Sequence, residues 1–370
     1  MFEAFRDVVS NVKGTVLDRE ASLGRPVIGV MPAYFPMELI WAAGGYPVQL
    51  WGNRLPLVRV DAYLQSYCCT VGRSILELEL SGGADMVQAY AFTSFCDTLV
   101  NLREVYGLLF DKPTFELTIP ITRTVEAKRQ LLGSVISEVL EGLERATGRK
   151  ATPESLAEAA ELFGRTRALQ RRLYELRRAR PGLVPSSDFY TALKAGFFLP
   201  PAEYNERLGG LLKAMEEREA PAGRRPRLVL SGMVFDPMEI LGIMDELGLD
   251  VVDDDFANGW RTASKEPIGV GDLVSGVTDF LFNPAPCSCL YNPDNDRHDY
   301  LVDKARQADA DGVLLWYVKF CEPDAFDRPQ LIERLNREGL AATFIEVELS
   351  MTNFDSIRTR LDAFREMLGG

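Results

Sequence analysis

Short, mostly apolar runs recur along the chain between segments with helical spacing, and this alternation constrains the fold more than any other feature. The runs lie at Val27–Met31, Met86–Phe92, Phe115–Leu117, Leu228–Leu230, Val251–Val252, Gly312–Val318 and Ala342–Val347. Short runs with so little polar interruption fit strands buried on both faces, and such strands alternating with helices imply parallel sheets covered on either side. The intervening patterns agree. Pro32 and Pro36 frame a turn after the first run, and the apolar stretch Leu39–Ala43 then begins a helix. Met238–Leu247 and Leu331–Glu338 have helical spacing and end beside Gly248 and Gly339, where a left-handed cap is expected.

From about Val125 to Met215 the alternation stops. Leu131, Leu132, Val135, Ile136, Val139, Leu140 and Leu143 follow helical spacing, and Thr152-Pro153-Glu154 is an N-cap followed by proline at the first helical position. Glu219–Pro226 (EAPAGRRP) reads as a linker before the next strand. At 370 residues the chain exceeds the roughly 250–300 at which a single core stops growing. The expected fold is therefore α/β, with two Rossmann/flavodoxin-like parallel-sheet lobes joined by a helical section. The expected divisions are an N-terminal helix at 1–25, a first α/β lobe at 26–120, a helical section with linker at 121–226, and a second α/β lobe at 227–370.

Charge narrows the function. With 41 Lys+Arg against 54 Asp+Glu the net charge is -13, and nucleic-acid binding needs a clustered basic surface that is not visible. The one locally basic stretch, Arg165 to Arg180, is interleaved with Leu169, Leu173 and Leu176 and reads as the solvated face of an amphipathic helix. No apolar run approaches the roughly 20 residues needed to cross a bilayer, and Met1–Arg25 has no signal-peptide layout. A cytoplasmic protein is expected, its cysteines reduced thiols or metal ligands.

His298, the single histidine, sits among Asp294, Asp296, Arg297 and Asp299 and reads as a surface residue, so histidine-based acid/base or metal chemistry has little to work with. No phosphate loop, nucleophile elbow or glycine-rich dinucleotide motif is present. The six cysteines are more informative. Cys96 follows the run Met86–Phe92 and Cys321 follows Gly312–Val318, beyond the carboxyl ends of buried parallel strands, where open α/β sheets form ligand crevices. Cys287 and Cys289 lie in Asn283-Pro284-Ala285-Pro286-Cys287-Ser288-Cys289, after the apolar run Phe280–Phe282. A lone cysteine is ordinarily a small buried hydrophobe, but a set at strand ends is not explained that way. Cysteine-only ligation suits an iron–sulfur cluster, with structural zinc as the alternative. Cys68 and Cys69 are adjacent and, if extended, point to opposite faces, so one of the two is expected to serve.

Several segments together resemble a known family. Ile28-Gly29, Tyr34-Phe35-Pro36-Met37-Glu38-Leu39-Ile40 and Ala42-Ala43-Gly44-Gly45-Tyr46-Pro47-Val48 are similar to its opening strand, Pro-x-Glu turn and following helix. Cys69-Thr70-Val71-Gly72-Arg73, Cys96-Asp97 and Lys319-Phe320-Cys321 are similar to its three cysteine segments. Arg358-Thr359-Arg360 with Ala363-Phe364-Arg365-Glu366-Met367-Leu368 is similar to its closing helix. In this order and spacing the chain resembles the 2-hydroxyacyl-CoA dehydratases and ATP-dependent benzoyl-CoA reductases, with the related double-cubane cluster proteins.

The resemblance implies a [4Fe–4S] cluster held by Cys69, Cys96 and Cys321, with one iron free of protein ligands. Cys69 is preferred to Cys68 because Arg73 stands at the family's spacing from it. It also implies a paired homologous subunit, identical or not, and a separate ATP-hydrolysing iron–sulfur activator, in keeping with the missing phosphate loop. Low-potential electrons would enter an acyl-CoA thioester, giving a ketyl radical that loses a 2-hydroxyl, or would reduce an aromatic ring. Cys287-Ser288-Cys289 with Asn292-Pro293-Asp294 and Arg297 resembles the double-cubane branch, whose [8Fe–9S] cluster would enlist Cys68, Cys287 and Cys289 as well. Phe256 stands where that branch would have another cysteine. A non-catalytic scaffold subunit is the third alternative. Glu38 is a candidate proton carrier or, equally, a carboxylate placed by the helix dipole. Arg73 and Lys319 either offset cluster charge, bind CoA phosphates or form exposed salt bridges.

Overall fold

The computed structural model of the chain describes residues 1–119, 125–282, 285–289 and 296–369, so Asn283, Pro284 and Asn292-Pro293-Asp294 lie outside the described residues. Helices α1 (Glu3–Ser10) and α2 (Val12–Leu23) lead into β1 (Val27–Val30), α3 (Met37–Ala42), β2 (Tyr46–Gln49), α4 (Thr70–Leu80), β3 (Ala89–Thr93), α5 (Asp97–Leu109) and β4 (Thr114–Leu117). Four helices follow: α6 (Val125–Thr147), α7 (Pro153–Ala179), α8 (Ser186–Ala195) and α9 (Pro201–Glu216). The second half runs β5 (Arg227–Gly232), α10 (Glu239–Glu246), β6 (Asp250–Phe256), α11 (Trp260–Ala263), α12 (Leu273–Phe282) and α13 (Arg297–Gln307). It closes with β7 (Gly312–Val318), α14 (Glu322–Arg337), β8 (Ala341–Val347) and α15 (Asp355–Met367).

The strands form two all-parallel sheets, ordered β2-β1-β3-β4 and β6-β5-β7-β8. The fold is α/β with two parallel-sheet lobes, as the alternating pattern implies, and the two lobes follow the same path. In each, the chain moves to one side of its first strand and then crosses to the other, so the switch points fall between β1 and β3 and between β5 and β7. Ligand crevices open at the carboxyl ends of strands beside such points. Local signals hold as well. Thr152 and Ser155 form a reciprocal capping box at the start of α7, and Gly248 and Gly339 take positive φ angles of 69° and 79° after α10 and α14.

Three elements differ from the sequence expectation. The strand β2 is not announced by an apolar run because Pro47 interrupts it, and proline is tolerated there because β2 is an edge strand. Phe280–Phe282 is the end of helix α12, not a strand. The basic stretch Arg165–Arg180 is only in part a solvated face: Arg165 and Arg172 are exposed, but α7 lies between the lobes and Arg167 and Arg177 are 3% and 5% exposed. Arg167 Nη2 donates to Glu38 Oε1 of α3 at 2.6 Å, while Tyr174 Oη donates to Asp254 Oδ2 of β6 at 2.6 Å and Arg178 pairs with Asp253 Oδ2 at 2.8 Å. At 1.5 Å per residue this 27-residue helix is about 40 Å long and fastens to α3 in the first lobe and to β6 in the second. Buried cations of this kind persist only when paired, because an ion taken out of water must recover its hydration from a partner. Among the described residues, no helix is long and apolar enough to cross a membrane.

Candidate functional site

Each cysteine that the family resemblance singles out caps a helix. Cys69 precedes α4, Cys96 precedes α5 and Cys321 precedes α14, and their carbonyls accept the first helical bonds from Arg73, Val100 and Ala325 at 3.1, 3.1 and 2.9 Å. Cys96 stands three residues beyond the end of β3 and Cys321 three residues beyond the end of β7, equivalent places in the two lobes. The lobes meet here. The Thr70 amide donates to the Lys319 carbonyl at 3.3 Å, bringing the Cys69 and Cys321 segments side by side, and the Lys319 amide donates to the Val347 carbonyl at 2.9 Å. Gly52 (φ 111°) permits this approach, since a Cβ there would come within 2.1 Å of Leu349 and 2.6 Å of Ser74. Two bulky residues, Tyr34 after β1 and Phe320 before Cys321, are held at φ 64°, a strained conformation that clusters at functional sites.

The thiols interact. A hydrogen bond from the Cys321 thiol lowers the Cys69 pKa, with the Val71 and Gly72 amides at the start of α4 acting in the same sense; the same bond and burial push the Cys321 thiol up. Burial raises Cys96 to about 12, against the Leu99 and Thr98 amides, and it lies within the field of Cys69. Cys289 shares this environment and feels the charges of Cys287, Cys321 and Cys96. Cys287 lies beside Cys289 and accepts from Arg261 Nη1 at 3.1 Å. Burial pushes its thiol up, but the hydrogen bond from Cys289 and the Arg261 charge outweigh this and bring it down to about 6. Cys68 faces the other way, toward Gln65 Oε1 at 3.9 Å.

A polar wall borders the thiols. Glu38, 1% exposed in the first turn of α3, uses one carboxylate oxygen on Arg167 and leaves the other without a partner. Lys265 is equally buried, donates to the Phe280 carbonyl at 2.6 Å and lies 4.4 Å from the Tyr34 ring centre. Burial and the Arg167 charge lower its pKa to about 7. Arg261 binds Asp255 through both Nε and Nη2, at 2.9 and 2.8 Å, with both side chains fully buried.

Several readings of individual residues change. Arg73 is buried and turned onto Asp61 and the Ser66 carbonyl, where it shapes the segment leading to Cys69 rather than forming an exposed bridge. Lys319 pairs with Glu348. His298 is not a free surface residue: its Nε2 lies 2.7 Å from Asp327 Oδ1 and its ring is largely covered. Phe256 is buried against Tyr190, Phe235 and Trp316. Lys265, Arg261 and Arg167 carry no sequence signal of their own, since their importance comes from burial; the repeat Pro36-Met37-Glu38-Leu39 and Pro237-Met238-Glu239-Ile240, opening α3 and α10, was a signal in plain view.

The donor set suits an iron–sulfur cluster. Among the described residues no three metal-ligating side chains are packed tightly enough to hold a single ion. A set of thiols with no histidine among them is a donor chemistry that an iron–sulfur cluster takes. Cys69, Cys96 and Cys321 each stand at a helix N-terminus, where the dipole favours negative charge. Near Cys69 and Cys321, Thr70 Oγ1 and Asp324 Oδ2 are buried without hydrogen-bond partners, and Tyr34 lies beside Cys287.

A two-lobed α/β subunit with a thiol-lined crevice between its sheets is the class of protein that fold and site define. The chain belongs to the family described as 2-hydroxyglutaryl-CoA dehydratase, D-component, which matches residues 32–368. It is 29% identical over 371 residues to the (R)-phenyllactyl-CoA dehydratase beta subunit of Clostridium sporogenes, covering 99% of this chain and 98% of that one. It is also 29% identical to a benzoyl-CoA reductase subunit of Thauera aromatica, covering 95% and 92%. The beta subunit of (R)-2-hydroxyglutaryl-CoA dehydratase from Acidaminococcus fermentans is 29% identical, covering 100% and 99%.

Proposed function

We propose that this chain is the iron–sulfur subunit of a 2-hydroxyacyl-CoA dehydratase or aryl-CoA reductase type of enzyme, with a [4Fe–4S] cluster held by Cys69, Cys96 and Cys321. The observation that carries the reading is the convergence of three cysteine-capped helix N-termini from two lobes onto one crevice. When bound, the cluster supplies one-electron chemistry at low potential. A separate ATP-hydrolysing activator is the proposed electron source, an acyl-CoA thioester the acceptor, and a homologous subunit the partner, in the cytoplasm. The relatives' names, all of subunits, support a partnered chain.

The chain's own residues have defined tasks in this reading. The amides opening α4 and α5 hold thiolate charge, and Arg73 fixes the approach to Cys69. Glu38, with one oxygen bound by Arg167 and the other unpaired, is placed to hold or hand over a proton in the crevice. Substituting Cys69, Cys96 or Cys321 with alanine tests the assignment. Each change is expected to abolish stable iron binding after anaerobic reconstitution and electron transfer from activator to substrate, while Cys68→Ala retains both. Full iron content and turnover in Cys321→Ala would contradict it.

A further inference from the structure

We infer that the Thr70 hydroxyl is a hydrogen-bond donor to a sulfur of the cluster and thereby raises the potential at which the cluster accepts an electron. The inference rests on the cluster reading above and deepens it by naming a residue outside the thiols that tunes the centre. Thr70 is the first residue of α4, directly after Cys69, and is 1% exposed, yet its Oγ1 has no hydrogen-bond partner. Native structures rarely leave a buried hydroxyl unpaired, because its lost hydration is then not recovered. Such a group points to an acceptor that the chain itself does not supply.

The three cysteine segments meet around this residue. The Thr70 amide donates at 3.3 Å to the carbonyl of Lys319, two residues before Cys321. Gly72, in the same turn of α4, lies against Thr98 of α5, two residues after Cys96: a Cβ on Gly72 would come within 2.8 Å of the Thr98 methyl carbon. The start of α4 is thus wedged between the Cys96 and Cys321 segments, with Cys69 at its head. The nearby protein acceptors serve other donors. The Ser66 carbonyl, four residues back, accepts from Arg73 Nη1 at 3.1 Å, and the Cys69 carbonyl accepts from the Arg73 amide at 3.1 Å. Asp324 Oδ2, three residues after Cys321, is itself without a partner, so the two orphaned groups are not bonded to each other. The sulfurs of a cluster are the acceptors that would complete this corner. A hydrogen bond to sulfur strengthens as the cluster gains negative charge, and it therefore favours the reduced state.

The test is a redox titration of the anaerobically reconstituted full chain, followed by EPR, with iron content measured on the same samples. Thr70→Val is near-isosteric and removes only the hydroxyl. It is expected to take up iron as wild type does and to weaken one-electron reduction about tenfold, a midpoint about 59 mV more negative. Thr70→Ala, a second variant without the hydroxyl, is expected to shift in the same direction, and Thr70→Ser, which keeps it, to stay at the wild-type midpoint. An unchanged midpoint in Thr70→Val and Thr70→Ala at full iron content would overturn the hydrogen bond and leave the three-cysteine reading standing. An equal shift in Thr70→Ser would also overturn it, because the change would then follow from packing and not from the hydroxyl. Failure of both hydroxyl-free variants to take up iron would overturn it in favour of a structural role. Absence of iron from the wild type would overturn both readings.

Discussion

The two lobes share a strand order and place a cysteine three residues beyond their third strand, but they bury very different second strands. In the first lobe β2 reads Tyr-Pro-Val-Gln; in the second, β6 carries Asp253, Asp254 and Asp255 in succession, all within 2% of full burial. Those carboxylates are held by Arg178 and Lys304, by Tyr174 and Tyr190, and by Arg261. The repeated Pro-Met-Glu turns show the same divergence. Glu38 is covered because α7 packs across α3, whereas Glu239, at the matching place in the second lobe, pairs with Arg54 at 2.6 Å with half its side chain in water. Topology sets where a residue stands; what lies across it decides whether it is structural, solvated or available for chemistry.

Removing the cation from each matching glutamate separates the two turns most strongly. Arg167→Met is expected to cost about 3–5 kcal/mol in urea unfolding because it strands a buried carboxylate. Arg54→Met, at the exposed pair, is expected to cost less than about 1 kcal/mol. Equal effects would mean that the two turns are not differently buried. A smaller effect tests the carboxylates of β6: Tyr174→Phe and Tyr190→Phe each remove one hydroxyl from Asp254, bonded at 2.6 and 2.8 Å, and are expected to cost about 1–2 kcal/mol apiece. Asp245 accepts from the Ser186 and Ser187 amides at the start of α8, at 2.6 and 3.0 Å, and Asp245→Ala is expected to cost about 1 kcal/mol.

The smallest effect is a pH dependence confined to the second lobe. The hydrogen bond to Asp327 raises the His298 pKa, so its contribution is complete below the unfolded value of about 6.5 and is lost as pH rises through the folded value. Burial opposes but does not outweigh His298 and Arg297, which lower the Asp327 pKa; its contribution is present above about 4 and is lost as pH falls through its folded value. The pair therefore stabilises most between about pH 4 and 6.5. His298→Gln is expected to flatten the stability profile on the alkaline side of that window, and an unchanged profile would contradict the pairing.

The parallel sheets were legible because buried strands are short, continuous and apolar: Gly312–Val318 is β7 without adjustment, and Val27–Met31 overlaps β1 almost completely. The positions of Cys96 and Cys321 beyond strand ends followed from the same pattern. What stayed hidden depends on partners distant in sequence. Arg167 lies 129 residues from Glu38, and nothing in an arginine-rich helix marks which of its cations will be enclosed between two lobes. Asp253-Asp254-Asp255 looks like a solvent-facing run until tyrosines and cations from α7, α8, α11 and α13 close over it.

Whether the thiols between the lobes hold a cluster is decided by iron and acid-labile sulfide per chain, measured on anaerobically purified protein alongside EPR of the reduced state. About four irons and four sulfides per chain with a reducible cluster signal are expected. A chain that binds no iron after anaerobic reconstitution would contradict the cluster and leave a scaffold subunit in its place.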